Sequence, residues 1–89
     1  GRITAAQAAD ELLNISGIDT SFVLFPDQEG RVILSARSMG DVNVQVVLEK
    51  LGGGGHRTIA GAQLKGATID EAREKLKDLI TDMMEKGEI

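Results

Sequence analysis

The 89-residue chain is 42% apolar and 27% charged, has a net charge of −4 at pH 7 and contains no cysteine. This composition is typical of one small folded domain and excludes a disulfide framework and a thiolate metal site. The negative charge argues against capture of a long nucleic acid, and the absence of Trp and Tyr weakens the case for base stacking. No apolar run approaches the roughly 18 residues of a membrane helix, so we expect a cytoplasmic domain without membrane contact.

The first predicted element is a helix that begins at Thr4. Thr4 and Gln7 have the spacing of a capping box, in which each side chain bonds the backbone N–H of the other residue. Apolar residues then recur at helical spacing, and Gly17 is placed to end the helix. The apolar positions are Ala5, Ala8, Ala9, Leu12 and Leu13.

Two short apolar runs follow, and they predict a β-hairpin. Residues 22–25 and 32–34 are rich in β-formers, and residues 26–30 between them have the composition of a tight turn. Because successive residues in both runs are apolar, we expect helices to cover both faces of these strands.

A second helix is predicted after Asn43, which is a suitable N-cap. Val44, Val47, Leu48 and Leu51 fall at the positions of a core stripe, and Gly52 would end the helix. Valines at 42, 44 and 46 also alternate as in a strand, but the helix places the polar residues of this segment together on the solvent side.

The last third of the chain predicts a strand near residues 62–64 and a long helix. Thr68 and Glu71 form a second capping box, and apolar residues then mark one helix face through Met83. The predicted order is α-β-β-α-glycine loop-β-α in a single domain of residues 1–89. This is a small α/β fold with a mixed sheet and helices packed on it.

The chemistry of the chain centres on a glycine run, Gly52, Gly53, Gly54 and Gly55, followed by His56, the only histidine. Bare peptide N–H groups beside an imidazole suit a phosphate, although the spacing of a P-loop is absent. A flexible turn with a surface histidine explains the pattern about equally well.

Two further residues, Arg37 and Ser38, end the second hairpin strand shortly before the helix at Asn43. They would offer a phosphate a fixed cation and a hydroxyl donor. The alternative is an exposed Arg37 paired with Asp41, a common surface arrangement. One histidine among acids that mostly lie on solvent-facing helix positions gives no convergent metal ligands, and no nucleophile elbow surrounds Ser38. We therefore expect no metal site and no catalytic residue in this chain.

The motifs of the chain resemble a known family, the DHH-associated domain that follows the catalytic domain of DHH phosphoesterases. The resemblance runs from about residue 35 to the last helix and includes the family's glycine-rich run ending in histidine. Within that superfamily the chain is most similar to bacterial cyclic-di-AMP phosphodiesterases of the GdpP type. The family resemblance is carried by Arg37-Ser38, Gly40, Val42-Asn43, Gly52 to His56 and Ala60-Gly61. The similarity to the GdpP type is carried by residues 35–38, 42–45 and 49–51.

The resemblance implies a role shared with a second domain. In that family a DHH domain holds two manganese ions, and the associated domain binds the phosphate and nucleotide of cyclic di-AMP, which is opened to the linear dinucleotide. Arg37, Ser38, Asn43, Gly52 to Gly55 and His56 would then bind substrate, except that Asn43 as a helix cap would be partly occupied by backbone. The Asp-His-His motif is absent, so the resemblance implies a fragment that binds without cleaving, in the cytoplasmic part of a membrane-anchored bacterial protein.

Two other functions remain open at this point. The same fold and glycine motif serve oligoribonucleases and adenosine-bisphosphate phosphatases, which act on short linear substrates. From a different class, the domain could be a non-catalytic nucleotide-sensing module.

Overall fold

The computed structural model describes residues 9–15, 18–39 and 42–89, with side chains from residue 20 onward. The described residues form five strands and two helices in the order β-β-β-α-β-β-α. These elements are β1 (Ala9–Ile15), β2 (Ile18–Pro26), β3 (Val32–Ser38), α1 (Val44–Glu49), β4 (Gly54–Gly55), β5 (Ile59–Leu64) and α2 (Ile69–Glu85). None of the helices described is long and apolar enough to cross a membrane.

The predicted first helix is wrong over residues 9–15, which form strand β1. This strand pairs antiparallel with β2 in a register that runs from Ala9 opposite Leu24 to Ile15 opposite Ile18. Pairing with a neighbouring strand outweighs the weak helical preference of the segment. The predicted helix cap at Thr4 and the stop at Gly17 lie outside the described residues.

The sheet is antiparallel at each strand pair that the structure describes, so the prediction of a mixed sheet is also wrong. The spatial order of the strands is β1-β2-β3-β5-β4. A second unpredicted strand, β4, lies within the glycine run and reverses the chain into β5. Since β5 enters the sheet between β3 and β4, it runs opposite to both of them.

The predicted β2–β3 hairpin is confirmed, and its turn is fixed by Asp27. One carboxylate oxygen of Asp27 accepts the backbone N–H of Glu29 at 2.9 Å and of Arg31 at 2.8 Å. The other accepts from Nε of Arg31 at 2.7 Å. Partial desolvation opposes the shift, but these bonds outweigh it and hold the pKa of Asp27 below its ordinary value.

The core lies on one face of the sheet, between the strands and both helices. Alternate residues of β2, β3 and β5 are buried there against α1 and α2, the largest being Phe22, Leu24, Leu34, Leu48, Leu76 and Met83. On the opposite face Val23, Phe25 and Ile33 are only half-buried. Coverage of both faces by helices was predicted, and for the described part of the chain that prediction is wrong. We call the side away from α1 and α2 the open face.

The predicted long helix, α2, begins at the expected capping box. Oγ1 of Thr68 accepts the backbone N–H of Glu71 at 3.1 Å, and Glu71 Oε1 accepts the backbone N–H of Thr68 at 2.9 Å. The bond from the Thr68 backbone, with a further contribution from its side chain, lowers the pKa of Glu71. The helix buries Ala72, Leu76, Ile80 and Met83 on the face that the periodicity predicted.

Candidate functional site

Helix α1 begins at Asn43, as predicted, and its first backbone donors are all used within the domain. Asn43 is extended, and its Oδ1 accepts the N–H groups of Gln45 at 3.0 Å and Val46 at 3.3 Å. The N–H of Val44 donates to the carbonyl of Arg57 at 2.9 Å. The expectation that this helix end offers donors to a phosphate therefore gains no support from the geometry.

The segment after the glycines is a tight turn that joins β4 to β5. The N–H of His56 donates to the carbonyl of Ile59 at 2.6 Å, and the reverse bond measures 3.3 Å. The carbonyl of Thr58 accepts the N–H of Ser38 at 3.0 Å. With the bond from Val44 to Arg57, the turn is tied both to the end of β3 and to the start of α1.

These pairings place Arg37, Ile59 and His56 in one row across the sheet. Arg37 lies opposite Ile59, and Ile59 exchanges both backbone bonds with His56. Residues directly opposite one another present their side chains on the same face, which here is the open face. The Cα atoms of Arg37 and His56 are thus about 9.5 Å apart, two strand spacings, so both side chains can reach one phosphate group.

Charge and exposure in this row favour an anion. The side chains of Arg37 and His56 are both exposed. Among the residues that the structure describes, Arg37 has no ion-pair or hydrogen-bond partner for its guanidinium. Asp41, the predicted alternative partner of Arg37, lies outside them. Arg57 adds a second exposed arginine in the turn.

The four glycines have different structural roles. A Cβ on Gly53 would lie 2.6 Å from the Cβ of Ala62, and one on Gly55 would lie 2.5 Å from the carbonyl oxygen of Ile59. Gly52 has a φ of +84° and ends α1, where the N–H of Gly53 returns to Leu48. Only a Cβ on Gly54 would meet open space at an ordinary φ. Close packing on β5 therefore requires glycine at two positions, and an approaching ligand finds room at Gly54.

The predicted site residues do not all converge. Gly52 and Gly53 line a cavity of about 630 Å³, together with Phe25, Ile33, Leu34, Ser35, Gly61, Ala62, Gln63 and Lys65. Gly53 lies three residues before His56, about 10 Å along the strand direction. The structure thus brings Arg37 and His56 together on the open face at one end of the sheet and places the first two glycines beside a separate cavity. Ser38 lies at the same end but on the other face, because it follows Arg37 in β3 and pairs with the buried Thr20.

Sequence reasoning missed two exposed apolar residues at the Arg37–His56 end. Ile59 is 52% exposed and lies between Arg37 and His56, and Met39 is 79% exposed directly after Ser38. A signal for Ile59 was available, because Ala60, Ala62 and Leu64 form the buried face of β5 and leave Ile59 on the other face. An apolar side chain between an arginine and a histidine is suited to a nucleobase beside a phosphate.

Residues that could bind a metal are not grouped in the described part of the chain. No set of three or more His, Cys, Asp or Glu side chains there could hold an ion. The donor set therefore does not fit the manganese centre of a DHH phosphoesterase. What the site offers an anionic ligand is the exposed side chains of Arg37, His56 and Arg57.

Comparison with known proteins gives a consistent family. The DHHA1 domain profile matches residues 2–82. The chain is 51% identical over 86 residues to the cyclic-di-AMP phosphodiesterase GdpP of Geobacillus thermodenitrificans, covering 97% of this chain and 13% of that protein. It is 49% identical over 88 residues to the cyclic-di-AMP phosphodiesterase PdeA of Listeria monocytogenes, covering 99% and 13%.

A third relative is named for a different activity. The chain is 39% identical over 73 residues to the bifunctional oligoribonuclease and PAP phosphatase NrnA of Thermus thermophilus, covering 82% of this chain and 22% of that protein. The chain thus spans only 13% of the length of the more similar relatives, the part that corresponds to a DHHA1 domain.

Proposed function

This chain belongs to the DHHA1 domain family, and from that premise we propose that it is the substrate-binding domain of a cyclic-di-AMP phosphodiesterase. In this proposal a DHH domain of the same protein supplies the manganese centre and hydrolyses cyclic di-AMP to the linear dinucleotide. The observation that carries the proposal is the row of Arg37, Ile59 and His56 on the open face.

Each member of the row has a role that follows from its chemistry. Arg37 supplies a permanent charge with paired N–H donors that match phosphate geometry. His56 donates a hydrogen bond to the same phosphate, stronger when the imidazole is protonated. Ile59 offers half-exposed apolar surface to an adenine ring next to that phosphate. Gly54 leaves room for the ligand beside β4. Ser38 follows Arg37 in β3 and lies opposite the buried Thr20, so its hydroxyl is on the other face of the sheet and is left out of this proposal.

The activities for which the relatives are named support cyclic di-AMP as the substrate. The two most similar proteins described above are cyclic-di-AMP phosphodiesterases, at 51% and 49% identity over nearly the whole chain. Metal-dependent cleavage is assigned to the other domain, because the described residues of this one hold no metal-binding group. We propose that the 89-residue chain alone binds without hydrolysing, and that its parent is a membrane-anchored bacterial protein with this domain in the cytoplasm.

A second candidate is the equivalent domain of an oligoribonuclease and adenosine-bisphosphate phosphatase. The match to NrnA at 39% identity favours it as the alternative, since that relative shares this domain. The row of Arg37, Ile59 and His56 suits a linear dinucleotide as well as a cyclic one. The two candidates differ in which form the whole protein binds and cleaves more readily.

Calorimetry of the parent protein, with its DHH domain present, tests the proposal. We expect tighter binding and faster hydrolysis of cyclic di-AMP than of the linear dinucleotide; preference for the linear form supports the second candidate instead. His56→Ala should weaken binding by about 1.5–3 kcal/mol through loss of a charge-assisted bond. Unchanged affinity in a folded variant contradicts the phosphate role, and an absence of any turnover in the parent indicates a sensing module.

A further inference from the structure

We propose that Asn43 is a positioning residue, which acts on substrate binding through the turn that carries His56 and makes no contact with the substrate. This inference rests on the proposed function, because it concerns the placement of His56 in the binding row. It separates Asn43 from Arg37, Ile59 and His56, whose side chains share the open face.

The side-chain acceptor of Asn43 is already occupied by backbone N–H groups. Its Oδ1 accepts two backbone N–H groups of α1, from Gln45 at 3.0 Å and from Val46 at 3.3 Å. Its backbone is extended at φ −85° and ψ 95°, the geometry of an N-cap. The side chain is half-buried and directed to its own helix.

The Asn43 cap holds the first turn of α1 in place. Helix α1 has six residues, less than two full turns, so its first turn depends on the cap and on packing for its order. The residue next to the cap, Val44, is fully buried, and its N–H donates to the carbonyl of Arg57 at 2.9 Å. An ordered first turn therefore presents this N–H to the His56 turn.

The turn that carries His56 also determines how His56 is placed in the row with Arg37 and Ile59. Two backbone hydrogen bonds connect the turn to the elements that precede the glycine run, one from Val44 to Arg57 and one from Ser38 to Thr58. Loss of the helix cap loosens the first and leaves the second. His56 then keeps its place in the chain but samples more positions relative to Arg37, so the phosphate meets a less well-ordered pair of groups.

Two substitutions distinguish a positioning role from a substrate contact. Asp is as good an N-cap as Asn, so Asn43→Asp keeps the acceptor for Gln45 and Val46. The same change removes the amide N–H donors and adds a negative charge, which a phosphate contact would not tolerate. Asn43→Ala removes the cap.

The test is the KM of the parent protein for cyclic di-AMP. We expect Asn43→Ala to raise KM by up to about fivefold, the factor that the N-cap's contribution to an ordered first turn gives when binding requires that order. Asn43→Asp should stay within about twofold of the original protein. A rise with Asn43→Asp equal to or larger than that with Asn43→Ala overturns the inference in favour of direct contact. An unchanged KM with Asn43→Ala overturns it as well.

A matched control separates positioning from general loss of stability. Thr68→Ala removes the N-cap of α2, a helix that follows β5 and has its own capping box, and should leave KM unchanged while it lowers the thermal midpoint. If Thr68→Ala raises KM as much as Asn43→Ala does, the inference fails. Should Asn43→Ala not fold, Asn43→Gly removes the same side-chain acceptor at a smaller loss of stability and is expected to raise KM by a smaller factor, but by more than Asn43→Asp does. A larger rise with Asn43→Asp than with Asn43→Gly overturns the inference.

His56→Ala in the same assay distinguishes failure of the proposed function from failure of the positioning role of Asn43. If His56→Ala leaves KM unchanged, the proposed function fails and the positioning inference fails with it. If His56→Ala raises KM and Asn43→Ala does not, only the positioning inference is overturned.

Discussion

The N–H of Val44 donates to the carbonyl of Arg57 over 2.9 Å and thereby fastens the first turn of α1 to the turn that follows the glycine run. The same turn is bonded to the end of β3 through Ser38 and Thr58. The position of His56 is therefore defined by α1, β3 and β5. The glycine run that precedes His56 is ordered by its packing on β5. This arrangement gives each glycine and each cap a separate, measurable consequence.

The glycine run should respond unevenly to alanine. Gly53→Ala is expected to destabilise the fold by about 2 kcal/mol, because its Cβ would overlap the backbone and side chain of β5. Gly54→Ala should change stability by less than about 0.5 kcal/mol, since its Cβ enters open space. Urea unfolding of the two variants measures the difference. Equal losses of stability would contradict the separate roles assigned to these glycines.

The capping box of α2 should make stability depend on pH through Glu71. Its pKa in the folded protein lies below the ordinary value of 4.5, because the carboxylate accepts the N–H of Thr68. A lowered folded pKa means that this contribution is complete above pH 4.5 and is lost as the pH falls through the folded pKa. Urea midpoints of the original protein should thus fall more between pH 6 and about pH 3 than those of Glu71→Gln.

The comparison with Glu71→Gln removes the contribution of other acids, such as Asp27, which titrate in both proteins. Gln keeps an oxygen acceptor for the Thr68 N–H but cannot titrate. Identical pH dependence of the two proteins would show that Glu71 does not contribute in this way.

The apolar contact proposed for the nucleobase can be tested at Ile59. Ile59→Ser should weaken binding of cyclic di-AMP to the parent protein by about 1 kcal/mol, the value of partly burying a side chain of this size. Met84→Ser is the matched control, because Met84 is 47% exposed, close to the 52% of Ile59, and lies near the end of α2. Calorimetric titration should show a loss for Ile59→Ser alone. Equal affinities of the two variants would exclude Ile59 from the binding surface.

The elements that the sequence predicted correctly are those with local signals. Helix α2 has a capping box and a clear apolar stripe, α1 has its cap at Asn43, and the β2–β3 turn has Asp27 and a Gly30 at φ +81°. Strand β1 was mistaken for a helix over residues 9–15, because Ala9, Leu12 and Leu13 continue a helical spacing of apolar residues and the pairing with β2 is not visible in the segment itself.

The short strand β4 could not be predicted for a different reason. It consists of Gly54–Gly55, which have no side chains and so no hydrophobic pattern. Missing it also gave the wrong sheet, because β4 is the strand that turns the chain back into β5.

Part of the candidate site was also accessible from sequence. Arg37 and His56, two of the predicted site residues, lie in one row across the sheet, and their role in binding stays a prediction. Their spacing across the sheet, and the place of Ile59 between Arg37 and His56, depend on a register that only the folded structure defines.

The central claim is that Arg37 and His56 bind the same phosphate, and a double-mutant cycle tests it most directly. Binding of cyclic di-AMP is measured for the parent protein, Arg37→Ala, His56→Ala and the double variant. Each single change should cost about 1.5–3 kcal/mol, and the double variant should lose at least about 0.5 kcal/mol less than the sum of the two. Losses that add to within about 0.3 kcal/mol, or single variants that bind as well as the original protein, would contradict the claim.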